Sequence, residues 1–155
     1  EIEWRYVYRG EELSESVELF GVPEGPTLVL LATHGLHASV SVDHLHLYRH
    51  ECDERRLRPL LQIEYMDGGY IVLGRELADW PGLLVYEPSY GPEGRYGPQR
   101  FRFRCYAPTQ TGGYRLASSL TSTRQYDSGR EAYSEVQAAL RRCFPYALPE
   151  SLPPE

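Results

Sequence analysis

Residues 39–48, SVSVDHLHLY, alternate with a period of two, and that period decides the class of fold. Successive side chains of a strand leave opposite faces. Leu45 and Leu47 therefore share one face with Asp43, while His44, His46 and Tyr48 share the other. A helix would instead repeat its apolar residues at three and four. The stretch predicts a strand buried through its leucines.

The same reading extends outward in both directions. Residues 1–8 alternate Ile2, Trp4, Tyr6 and Tyr8 against Glu1, Glu3 and Arg5. Ser16–Phe20 and Thr27–Thr33 follow, separated by GVPEGP, and the second is an apolar run of the kind expected in a central strand. Downstream, Leu57–Tyr65 and Tyr70–Leu73 flank MDGG, where Asp67-Gly68 signals a short hairpin turn. Leu83–Tyr86 and Arg100–Tyr106 flank the long loop EPSYGPEGRYGPQ, and Tyr114–Leu120 with Thr121–Tyr126 completes the series. Short strands at this spacing predict an antiparallel sandwich, barrel or strongly bent sheet.

One helix interrupts the pattern. Ser128 and Glu131 have capping-box spacing, and Tyr133, Val136, Leu140 and Cys143 then recur on one face. Arg141 and Arg142 suit the last turn, and Pro145 ends it. The expectation is one amphipathic helix at about 129–143 packed on the sheet, inside a single β-rich domain of residues 1–146. Residues 147–155, ALPESLPPE, read as an extended Pro-rich tail.

Composition bounds the function. The 155 residues are 41% hydrophobic and 25% charged, a globular balance, and the longest apolar run, Leu28–Ala32, is too short to cross a bilayer. With 16 basic and 22 acidic residues the chain carries −6, against nucleic-acid binding. Arg100, Arg102 and Arg104 alternate and read as a solvated strand face. The chain contains neither Lys nor Asn, as a very GC-rich genome would produce. It begins at Glu1 rather than Met, and its three cysteines (Cys52, Cys105 and Cys143) lack zinc spacing. A cleaved leader and one disulfide beside a free thiol would fit a secreted or envelope protein; three buried thiols fit as well.

All five histidines lie between residues 34 and 50. His44 and His46 leave the same strand face about 7 Å apart, and such a pair could supply two imidazoles to zinc or another divalent transition metal. His34 or His37 would be the third ligand. The bland alternative is the wetter face of a half-buried strand. Catalytic signatures are missing: there is no G-x-S-x-G elbow and no phosphate-binding glycine loop.

Two interface candidates remain. Tyr86, Tyr90, Arg95 and Tyr96 border the Gly/Pro loop, where tyrosine and arginine suit protein contacts or sugar stacking. Ile2, Trp4, Tyr6 and Tyr8 form an apolar strand face that could pair with another chain. The preferred expectation is a non-enzymatic exported β domain that acts through protein–protein contact, including self-assembly. A metal-binding protein or metal-dependent enzyme at the histidines, and a glycan-binding module at the tyrosines, are the alternatives.

Overall fold

In the computed structural model the described residues form eight strands and one helix: two four-stranded antiparallel sheets and a C-terminal helix. The structure describes residues 14–21, 26–37, 40–51, 55–74, 80–92, 94–144, 146 and 148–154. The expected first strand at 1–8 and Cys52 lie outside them. The chain forms two compact units, Glu1–Asp67 with Thr109–Tyr114, and Gly68–Pro108 with Arg115–Glu155.

The first sheet runs β1 (Ser14–Gly21), β2 (Thr27–His37), β3 (Val40–Glu51) and β4 (Arg56–Met66), in that spatial order. Its alternation follows the residues. Leu28 and Leu30 on β2, Leu45 and Leu47 on β3, and Ile63 and Tyr65 on β4 are buried. His44, His46 and Tyr48 are half-buried on the opposite face. Burying a leucine contributes about 1.5–3 kcal/mol relative to leaving it exposed, so a one-residue slip would exchange the apolar face for the histidine face.

The second sheet runs β5 (Gly69–Leu73), β6 (Gly82–Ser89), β7 (Arg100–Pro108) and β8 (Tyr114–Thr121). Strand β6, an inner strand of its sheet, is buried from Gly82 to Pro88. On β7 the two faces separate sharply: Phe101, Phe103 and Cys105 are buried, whereas Arg100 and Arg102 are exposed. Helix α1 (Gly129–Cys143) packs against β6 and β7. Its Ser128 side chain accepts from the Glu131 amide at 3.3 Å, as the capping spacing predicts. Ala132, Tyr133, Val136 and Leu140 join Leu84, Phe103 and Cys105 in one core. Gly129 lets the helix start this close, because a Cβ there would lie 2.8 Å from the Tyr86 ring.

Two expectations are corrected. Asp67-Gly68 makes no hairpin, since β4 and β5 belong to different sheets. Gly68 serves close approach instead: a Cβ there would stand 1.9 Å from the Tyr86 carbonyl oxygen on β6. Residues 148–154, within the expected extended tail, belong to no strand or helix, and Leu148 and Leu152 are buried in the helix core at 8% and 1% exposure. The two described cysteines, Cys105 (buried) and Cys143 (exposed), form no disulfide. Burial pushes the Cys105 thiol up to about 12, which keeps it protonated.

Candidate functional site

The histidine segment lies on β2 and β3, whose antiparallel register fixes what can meet. His34 stands directly opposite Asp43, and Thr33 opposite His44. Directly opposed residues share a face. His34 therefore lies on the Asp43 face, away from His44 and His46, and the structure does not bring those three together. The His37 side chain lies outside the described residues. The His44 and His46 ring centroids are 6.3 Å apart and tilted by 31°, and His46 stacks on Tyr48 at 6.1 Å. Glu64 faces His44 from β4, with 3.8 Å from Oε2 to Nδ1. Among the described residues, no three His, Cys, Asp or Glu side chains stand where they could hold a metal ion together.

On the other face, Asp43 is only 7% exposed. Burying a carboxylate is costly unless its oxygens are satisfied. His34 Nδ1 hydrogen-bonds Asp43 Oδ1, and the Ser41 hydroxyl donates to the carboxylate at 3.2 Å. Ser41 Oγ also lies 3.0 Å from His34 Nδ1. The trio has the residue types of a nucleophilic triad but not its wiring. A triad places the carboxylate on one ring nitrogen and the serine on the other; here both meet Nδ1. The arrangement compensates a buried charge and pins the strand end, where the Ser41 amide donates to Asp67 Oδ1 at 2.8 Å.

Two arginines of the exposed β7 face, Arg102 and Arg104, meet a buried carboxylate. Glu87 on β6, 4% exposed, sits opposite Arg102. Arg102 Nε donates to Glu87 Oε1 at 3.0 Å, and Arg104 Nη2 approaches the same oxygen at 3.2 Å. Two guanidinium groups thus offset one buried carboxylate, a structural duty.

The tyrosine loop divides. Tyr86 is 6% exposed and stacks on Phe103 at 6.3 Å, so it belongs to the core. A platform of three exposed tyrosine rings is not formed. Tyr96 is the opposite case, 93% exposed. The loop beneath it is tightly built. Gly94 N donates to Gly91 O at 3.0 Å, and Gly94 and Gly97 take positive φ of 75° and 85°. The Gln99 side-chain amide, in a residue only 9% exposed, donates to Gly94 O at 3.0 Å and Gly97 O at 3.3 Å. Gln99 itself bridges Tyr126 through backbone bonds of 2.8 and 2.7 Å. The Arg95 guanidinium lies 5.4 Å from the Tyr90 ring centroid.

Sequence reasoning picked out Tyr90, Arg95 and Tyr96 but missed Gln99. No local pattern reveals an amide that reads carbonyls two and five residues back. It also missed the His34–Asp43 pair, which the antiparallel register of β2 and β3 places opposite each other. No protein-family model, curated protein or solved structure matches the chain.

Proposed function

We propose that the protein is a non-enzymatic, exported β protein acting through a protein–protein interface at the loop of residues 89–99, with self-assembly as its form. The single observation that carries this reading is Tyr96. A large amphipathic ring stands almost wholly in solvent on a loop held by a buried amide, two left-handed glycines and a cation–π pair. Holding the loop backbone beneath such a side chain beforehand reduces the ordering cost of binding, and tyrosine supplies large contact area at low entropy cost. Among the described residues no helix is long and apolar enough to cross a membrane.

Light scattering over a concentration series tests the reading. Mass that grows with concentration is the expected outcome; the mass of one chain throughout contradicts self-assembly. Placement outside the cytoplasm is part of the proposal, and cell fractionation checks it.

A further inference from the structure

His44 and His46 stand two residues apart on β3, on the sheet face opposite the buried leucines. Their ring centroids are 6.3 Å apart. A ligating nitrogen sits about 2 Å from a first-row metal ion, so two imidazoles on opposite sides of one ion place their centroids about 6 Å apart. The spacing of the strand therefore holds the two rings at the span that one ion bridges. Both are half-buried, and 36% of the His44 side chain remains open to an approaching ion.

The surroundings suit a cation. His44 lies in the cross-strand row Thr33–His44–Glu64 and His46 in the row Leu31–His46–Gln62, and neither row contains an arginine. Glu64 Oε2 lies 3.8 Å from His44 Nδ1. A carboxylate beside one ring nitrogen orients an imidazole and raises its basicity as a ligand, the usual outer support of a metal-binding histidine. His46 is steadied by Tyr48, whose ring it stacks on at 6.1 Å with 9° between the planes. His34 is differently employed: it faces Asp43, and its Nδ1 already meets the Asp43 carboxylate and the Ser41 hydroxyl.

We propose that His44 and His46 form a two-imidazole site for a divalent copper ion. Among the described residues no third His, Cys, Asp or Glu completes it, so the remaining positions fall to water or to a small ligand from solution. Copper is the ion that this pair favours. Cu²⁺ stands at the top of the divalent series for nitrogen ligands and takes the tetragonal geometry in which two imidazoles lie opposite each other. Zinc prefers a tetrahedron of four ligands, which two histidines only half supply. The site shares no residue with the loop of residues 89–99 and does not rest on it.

The test uses the full chain without a polyhistidine tag. Copper(II) chloride is titrated against glycine as a competing chelator, and the complex made without glycine is examined frozen by electron paramagnetic resonance. The expected result is one Cu²⁺ bound per chain, splitting from two imidazole nitrogens, and weaker binding of Ni²⁺ and Zn²⁺. His44→Gln and His46→Gln should each weaken the affinity at least about tenfold, because the chelate loses its second, effectively intramolecular contact. His34→Gln should leave it unchanged. Copper binding that survives both substitutions at the pair, or that needs millimolar metal, marks an adventitious ion only and overturns the proposal. Should either variant lose its β-sheet circular dichroism, substoichiometric Cu²⁺ is added to the wild type and followed by NMR. Selective broadening of the His44 and His46 ring signals then supports the site, and broadening centred elsewhere overturns it.

Discussion

Arg95 lies over the ring of Tyr90 at 5.4 Å, and the next residue along, Tyr96, is left 93% exposed. The pair occupies the inner side chains of the loop with each other, and the tyrosine beyond it has none of that cover. Loops that merely connect strands tend to carry small polar residues at their tips. This one combines an exposed aromatic ring with an internal framework.

Gln99 is the keystone of that framework. Gln99→Ala removes two side-chain bonds to loop carbonyls and should cost about 1–2 kcal/mol, since a typical hydrogen bond contributes about 1 kcal/mol. The local effect should exceed the global one. Hydrogen exchange at the Gly94 amide, which bonds Gly91 O, should accelerate while α1 keeps its protection. Unchanged exchange at Gly94 would show that the amide does not hold the loop.

Glu135 on α1 should govern stability in acid. Its carboxylate accepts from the Thr123 amide and hydroxyl at 2.6 Å each and from the Tyr126 hydroxyl at 2.7 Å. These bonds, led by the Thr123 hydroxyl, hold its pKa down at about 2. A depressed folded value means that the stabilisation is fully present above the ordinary glutamate range and disappears as pH falls from about 4.5 to about 2. Urea midpoints of wild type and Glu135→Gln should therefore differ at pH 6 and converge towards pH 2. A gap that stays constant through that window would separate Glu135 from acid sensitivity.

Gly68 and Gly74 offer a matched comparison. A Cβ at Gly68 would lie 1.9 Å from a backbone oxygen, whereas one at Gly74 would meet nothing within 4 Å. Gly68→Ala should cost about 1–3 kcal/mol or more, as overpacking does when backbone must move. Gly74→Ala should lie within about 0.5 kcal/mol of wild type, as surface changes usually do. Thermal melts of the two variants check the difference.

Legibility in the sequence followed the range of the interactions. The period of residues 39–48 and the S-x-x-E spacing at Ser128 are local, and both correspond to observed elements: β3 with its leucines buried, and α1 with its serine cap. Asp67-Gly68 misled because the dipeptide that favours a hairpin also suits a chain leaving one sheet beside another strand's backbone. Glu87 against Arg102 depends on the β6–β7 register, and Leu152 against α1 on a tertiary fold-back; neither has a short-range signature. At the candidate site, the loop tyrosines were legible as residue types. Their opposite fates were not, because burial of Tyr86 and exposure of Tyr96 depend on which strand ends where.

Sedimentation velocity of the full chain beside Tyr96→Ser tests the central claim most directly. The ring has almost no intramolecular cover, so its removal should leave the melting temperature unchanged and weaken self-association about tenfold or more, the loss expected of an interface hot spot. Self-association identical in the two proteins, or a chain that stays monomeric at every concentration with the ring intact, would contradict the account.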